Sequence, residues 1–252
     1  MSAYKIPKKV SNKIAREGFT SLAKDCVIYF PAGLMSDNVT TPEGITMQLK
    51  SLSPVTRGRF MLGDAETPEK QLIKEVPSDI PIIELGAGTG YLTSIVNQRT
   101  DNKHIAVEPN PHLLPVLEST RKLNRVDYSI LPRAYHPTKD RINFPVEKYY
   151  KTVSLLDENK KVKKESVKTT SIKDIVKNYS LDNFFLHVDI EGSERLLFQE
   201  MEILSHSCKG ILIELHPDKI DPNRCSSELE EHFDLIAQRD NVKLYTSRGG
   251  EF

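Results

Sequence analysis

Three groups of residues in this 252-residue chain have types and spacings suited to chemistry. The first is Glu84-Leu85-Gly86-Ala87-Gly88-Thr89-Gly90, an acid two positions ahead of glycines that recur at every second residue. The second is Glu108, followed by Pro109-Asn110 and lying 24 residues beyond Glu84. The third is Asp189-Ile190-Glu191-Gly192-Ser193-Glu194, with Glu214 and His216 further on. Closely spaced glycines let a backbone turn sharply and admit a ligand where a Cβ would collide. A helix opening behind such a turn aims unpaired amides at that ligand. An acid at the next strand end can accept hydrogen bonds from both hydroxyls of a ribose. Carboxylates and an imidazole at further strand ends can hold or remove a proton. The combination describes a nucleoside site beside a proton-handling cluster.

The details of the glycine turn select among nucleosides. The dinucleotide fingerprint G-x-G-x-x-G needs a third glycine where this chain has Tyr91, and a P-loop needs a Lys that is absent after these glycines. Glu84 would repel a pyrophosphate, whereas it suits a ligand carrying an ammonium and a sulfonium charge. The expected cofactor is S-adenosylmethionine, contacted by Glu84, Gly86, Ala87, Gly88, Thr89, Gly90, Glu108, Pro109 and Asn110.

Strands are required to hold these groups. The runs Ile82–Leu85, Ile105–Glu108, Phe184–Asp189 and Ile211–Leu215 are almost continuously apolar, as expected of parallel strands buried on both faces, and each ends near an acid. Glu84 to Glu108 is 24 residues and Asp189 to Glu214 is 25, each the length of a strand, a helix and two short loops. Helical faces are predicted from Leu92, Ile95 and Val96; from Ile172, Ile175, Val176 and Tyr179; from Leu197, Met201 and Leu204; and from Leu229, Phe233 and Ile236. Ser171 with Asp174, and Ser227 with Glu230, have capping-box spacing. Thr67-Pro68-Glu69 predicts a helix from about Pro68 toward Val76. An inserted hairpin is expected at about 141–170, with a lysine-rich edge.

Composition narrows the field. Lys plus Arg number 35 against 35 Asp plus Glu, so the chain lacks the cationic excess typical of proteins that track phosphate backbones. With 38% hydrophobic and 28% charged residues it belongs among ordinary globular proteins. No run approaches the ~18 to 20 apolar residues of a spanning helix, and the first residues lack the apolar core of a signal peptide. Cys26, Cys208 and Cys225 are odd in number and widely spaced, which suits a reducing compartment. The expected location is cytoplasmic.

With these motifs placed, the sequence resembles class I S-adenosylmethionine-dependent methyltransferases, and D-x-E-G-x-E at Asp189–Glu194 resembles the hallmark of the FkbM family. Thr169-Thr170-Ser171-Ile172-Lys173-Asp174-Ile175 is similar to that family's Thr-Leu-Asp segment, and Glu214-Leu215-His216-Pro217 to its next strand end. The resemblance covers about Phe60 to Tyr245. It implies an α/β fold with a Rossmann-like, mostly parallel sheet, an antiparallel last strand and helices on both faces. It implies a methyltransferase domain over 61–252, preceded by a helical or irregular N-terminal extension over 1–60. It further implies O-methylation of a sugar, glycolipid, polysaccharide or related small molecule. Adenine would lie near Arg133-Ala134, and Glu69 would face the cofactor or complement its own helix dipole.

The catalytic candidates are Asp189, Glu191 and His216, with Asp189 also a cofactor contact. Glu194 is expected in the first turn of the next helix and His187 as a packed strand residue. Asp189, Glu191 and Glu214 offer oxygens of the kind Mg²⁺ accepts, yet a divalent metal is not the expectation. A zinc site from Cys208, Cys225, His206 or His216 has no recognised spacing. The expected partner is a small-molecule or glycan acceptor, with no DNA. RNA is the alternative acceptor, because E-x-G-x-G-x-G-Y-L-T followed by Glu108 also resembles rRNA dimethylases. The N-P-P-Y/F motif of such enzymes is missing after the fourth strand. A nucleoside-binding module without transfer activity is the second alternative.

Overall fold

A computed structural model describes Thr20, residues 23–146 and residues 163–250. Two compact units divide the chain, Met1–Ala65 and Glu66–Phe252. In the first, α1 (Phe30–Leu34) follows a wide helical turn at Asp25–Tyr29, an antiparallel ribbon joins β1 (Asn38–Thr40) to β2 (Thr46–Gln48), and α2 (Pro54–Leu62) comes last. Ser53 caps α2 by accepting from the Thr56 amide at 3.1 Å, Pro54 opens the helix, and Gly63 ends it with φ 77°. Short helices and loops are expected here from the sequence. The ribbon is an addition, made possible because the paired Val39 and Met47 share one fully buried face.

The second unit is built on a seven-stranded sheet in the order β11-β12-β10-β9-β3-β4-β5. Its strands are β3 (Ile82–Leu85), β4 (His104–Val107), β5 (Ser129–Leu131), β9 (Phe184–Val188), β10 (Cys208–Glu214), β11 (Phe233–Arg239) and β12 (Val242–Ser247). Pairings from β5 through β10 are all parallel, and β12 runs antiparallel between β10 and β11. The fold is Rossmann-like α/β. The four apolar runs read from the sequence are the four central strands, buried over nearly all their length because both sheet faces are covered. On one face Ile83, Leu85, Ile105 and Val107 pack with Ile172 and Ile175 of α6 (Ile172–Tyr179), Leu204 of α7 (Met201–Ser207), and Leu229 of α8 (Pro222–Glu230). On the other face Ala106 packs with Leu117 of α5 (Leu114–Asn124), which also contacts α4 (Tyr91–Asn97).

A smaller sheet joins β6 (Ala134–Tyr135), β8 (Lys164–Thr170) and β7 (Arg141–Pro145), with β7 and β8 antiparallel. The polar segment at 157–161, expected at a hairpin tip, lies outside the described residues. Ser171 and Asp174 form the full reciprocal capping box that opens α6.

Three expected helices are corrected. The residues around Leu197, Met201 and Leu204 split into a 3₁₀ segment, Glu194–Glu200, and α7. The helix expected to carry Leu229, Phe233 and Ile236 ends at Glu230, and Phe233–Arg239 is the edge strand β11. Its cap is Asp221, which accepts from the Asn223 and Arg224 amides. Ser227, spaced for a capping box with Glu230, sits inside the helix and bonds the Asn223 carbonyl. The helix expected from Pro68 toward Val76 is α3 (Thr67–Leu72) and a 3₁₀ turn to Glu75, entered from Glu66 in a left-handed conformation.

Candidate active site

The parallel register sets the ends of β9, β3 and β4 side by side. The Asp189 amide donates to the Leu85 carbonyl at 2.9 Å, and the Gly86 and Ala87 amides donate to the Val107 carbonyl at 2.9 and 3.1 Å. The glycine turn therefore begins while its neighbours are still paired. Gly86 and Gly90 have φ of 94° and 80°, a region that penalises any Cβ. Gly90 also lies under Leu117 and Tyr128, so α4 can start close against α5. Glu108 holds this turn from the next strand: its Oε2 accepts from the Gly88 amide at 2.8 Å and its Oε1 from the Asn110 amide at 2.7 Å. Burial pushes Glu108 up to about 7, against the lowering effect of those two amides, and the charge of Glu84 adds to the rise. Ala87, Thr89 and Asn110 are buried around the turn, and Pro109 is half-buried.

Glu84 has different neighbours from those its motif suggests. It is 2% exposed, with Oε2 3.0 Å from His104 Nε2 and Oε1 3.2 Å from His187 Nδ1. The strand pleat explains this. Ile83 and Leu85 face the large apolar cluster, so Glu84 faces the opposite side with its register partners Ala106 and His187. Burial acts to raise its pKa, and the hydrogen bonds from both imidazoles outweigh burial and hold it well below the carboxylate range. His187, expected as a packed residue, is buried and polar-paired.

Among the described residues, a dense group of titratable side chains gathers at the ends of β9 and β10. After Asp189 the chain doubles back through Glu191 (φ 55°) and Gly192 (φ 95°), both left-handed. This turn brings Glu194 under His216: Glu194 Oε1 lies 2.7 Å from His216 Nδ1 and accepts from the Gly192 amide at 2.9 Å. The other ring nitrogen, Nε2, faces Glu191 Oε2 at 3.3 Å, Asp189 Oδ1 at 3.6 Å and Glu214 Oε2 at 3.8 Å. Lys219 Nζ meets Glu191 Oε2 at 2.6 Å, and Asn241 Nδ2 donates to Glu214 Oε1 at 2.7 Å.

Crowding of like charge dominates the electrostatics. Burial first, then Glu214, Glu191, Glu66 and Glu69, raise Asp189 well above its ordinary value. Glu69 is pushed up to about 9 by burial, by the charges of Glu214 and Glu66, and by a hydrogen bond with Glu214. Glu66 is pushed up to about 7 by burial and by Glu214 and Glu191. For His216, burial lowers basicity, but the Glu194 hydrogen bond and the surrounding carboxylates reverse the sign and raise it. Such a cluster can hold protons, accept one from a neighbouring hydroxyl, or meet a cation.

Residues 84–242 match the profile of the methyltransferase FkbM domain. The chain belongs to the FkbM methyltransferase family. As an FkbM methyltransferase it uses S-adenosylmethionine, and the glycine turn with Glu108 and the acidic turn Asp189–Glu194 both fall inside the matched segment. No curated protein sequence is significantly similar to it. Solved structures with a similar chain path include a precorrin-6y C5,15-methyltransferase from Geobacter metallireducens, with 12% identity, 74% of this chain and 89% of that one covered, and a TM-score of 0.43. A ribosomal protein L11 methylase from Lactobacillus delbrueckii subsp. bulgaricus has 12% identity, coverages of 70% and 76%, and a TM-score of 0.38. TrmK from M. capricolum, in complex with S-adenosyl-homocysteine, has 12% identity, coverages of 70% and 65%, and a TM-score of 0.39.

The remaining expected residues of this FkbM methyltransferase fall in two places. Glu69 joins the acidic cluster through Glu214. Arg133 follows β5, donates Nη1 to the Thr169 carbonyl at 3.0 Å, and lines a cavity of about 520 Å³ with Lys139, Arg141 and Lys168, while buried Ala134 opens β6. Glu66, Lys219 and Asn241 belong to the cluster without any sequence signal, since none of them falls within a motif. Among the described residues no helix is long and apolar enough to cross a membrane.

Proposed function

We propose that this methyltransferase is a cytoplasmic O-methyltransferase of a hydroxylated small molecule, with a sugar or glycan as the leading acceptor class, carried by residues 61–252. In this reading the glycine turn and Glu108 hold the nucleoside. Each Glu108 oxygen is used by one amide and keeps a second lone pair, so the carboxylate can still accept from ribose hydroxyls. Glu84, engaged by two imidazoles, acts from behind the turn by fixing β3 against β4 and β9.

The observation that carries the reading is the meeting of Asp189, Glu191 and His216, with Glu194 orienting the imidazole at 2.7 Å. Methyl transfer to oxygen is an in-line displacement in which a hydroxyl must be held behind the methyl group and must lose its proton. These three side chains, at the carboxyl ends of central parallel strands where such sheets place their ligands, would position the hydroxyl and take that proton.

The test is transfer of radiolabelled methyl from S-adenosylmethionine to fractionated cell extract by the full chain. The expected product keeps its label through protease and nuclease treatment. Label lost to nuclease would replace the proposed acceptor with RNA, and label lost to protease would replace it with a protein. Cofactor binding without transfer to any fraction would overturn the enzymatic reading.

A further inference from the structure

The sequence offers no metal-binding spacing around Asp189, and the geometry supplies what the spacing lacks. One ligand atom each from Asp189, Glu214 and His216 lies within 4.8 Å of the others. Hard divalent ions bind oxygen at about 2.0 to 2.6 Å, so ligands facing one ion stand no more than about 4 to 5 Å apart. The separations of 3.6 Å for His216 Nε2 to Asp189 Oδ1 and 3.8 Å to Glu214 Oε2 fit that span.

Two further observations point to a ligand rather than to a chance meeting of acids. The His216 ring is 10% exposed, and its Nε2 is aimed into the carboxylates, with Glu191 Oε2 at 3.3 Å and Asp189 Oδ1 at 3.6 Å. Asp189 Oδ1, on the same side, is a buried oxygen with no hydrogen-bond partner. Two groups orient them from behind. Glu194, itself completely buried, accepts from His216 Nδ1, the carboxylate–imidazole arrangement that orients a histidine toward a metal. Asn241 occupies Glu214 Oε1 and leaves Oε2 turned inward. Lys219 neutralises Glu191, which sets Glu191 apart from the other two acids.

We propose that Asp189, Glu214 and His216 bind one divalent metal ion, with two carboxylate oxygens and one imidazole nitrogen as ligands and the remaining positions open toward the acceptor. A mixed oxygen and nitrogen set of this kind suits Mn²⁺, with Mg²⁺ as its hard relative. The inference rests on the O-methyltransferase reading for its purpose. A hydroxyl, or two adjacent hydroxyls of a sugar, would enter the open positions, and the bound ion would lower the hydroxyl pKa. The hydroxyl proton passes to Glu191, and the oxygen forms its bond to the methyl carbon. The carbon–sulfur bond breaks with its electron pair left on sulfur, giving S-adenosylhomocysteine.

The experiment titrates Mn²⁺ into the chelator-treated full chain and follows the free-ion signal by electron paramagnetic resonance. Pulsed measurements on the bound ion then search for nitrogen coupling. The expected result is one ion per chain, with histidine nitrogen coupling in the wild type that disappears in His216→Gln. Mn²⁺ affinity should fall about tenfold or more in Glu214→Gln. No binding, binding without nitrogen coupling, or unchanged affinity in Glu214→Gln would each overturn the site. The nitrogen coupling is read on the wild-type chain, so it decides even if a variant fails to fold. Calorimetry with S-adenosylhomocysteine is run in parallel: Mn²⁺ bound without the nucleoside would keep the metal site and remove the methyltransferase purpose, and the nucleoside bound without Mn²⁺ would do the reverse.

Discussion

A Cβ placed on Gly86 would lie 1.8 Å from the carbonyl oxygen of Asp189, so the glycine turn and the end of β9 are in backbone contact. The two motifs form one surface. With φ at 94° and backbone on the opposing side, Gly86→Ala has no space to relax into. The variant should lose about 2 kcal/mol or more of unfolding free energy. Urea denaturation measures this, and a midpoint equal to wild type would mean that β9 yields.

Glu108 should govern nucleoside affinity. Replacing it with Ala removes the acceptor for the Gly88 and Asn110 amides and any ribose contact, and should weaken S-adenosylhomocysteine binding by about 1 to 3 kcal/mol in calorimetry. The pH dependence has a definite sign. Glu108 is pushed up to about 7, so protonation below that pH removes an acceptor, and affinity should fall as the buffer is taken from 8 toward 6. Equal affinities across that range would detach the carboxylate from binding.

Glu84 ties stability to acid. Its folded-state pKa is depressed below the ordinary value of 4.5, so its contribution is present above that pH and is lost as pH falls toward the folded value. Wild type should therefore lose stability on going below about 4.5 more steeply than Glu84→Gln, which has no carboxylate to protonate. Parallel urea titrations at pH 7 and below 4.5 would show it. Identical slopes would mean that the His104 and His187 contacts carry no net charge interaction.

Asp189→Asn keeps the shape of the side chain and removes its titratable carboxyl group. S-adenosylhomocysteine affinity should stay within a few fold of wild type while single-turnover methyl transfer drops by about 100-fold or more, in line with loss of a group that handles a proton or its charge. Equal turnover would take Asp189 out of the reaction.

Much of the scaffold can be read directly from the residues, because Ile82–Leu85, His104–Val107, Phe184–Val188 and most of Cys208–Glu214 are buried on both faces and so keep a nearly continuous apolar signal. Phe233–Arg239 misleads for a physical reason. Only Phe233 is buried, and a register shift between Leu235 and Ala237 breaks the two-residue alternation, leaving a spacing that imitates a helix. The partners of Glu84 depend on which way the pleat turns it, and a motif does not encode that. His216 and Glu194 are 22 residues apart and meet only because two consecutive residues turn left-handed after Asp189. Lys219 and Asn241 likewise meet Glu191 and Glu214 across long stretches of chain, 28 and 27 residues.

The position of β12 bears on the order in which this enzyme becomes competent. Residues 242–247 come last among the sheet strands, yet they sit inside the sheet, between β10 and β11. During synthesis one flank of β10 stays open until that segment leaves the ribosome, an invitation to adventitious pairing. Asn241, at the hairpin leading into β12, is also the residue that holds the Glu214 carboxylate and accepts the Leu215 amide. A nascent chain can thus form its glycine turn well before Glu214 gains its Asn241 partner, and that hydrogen bond arrives with the final stitch of the sheet.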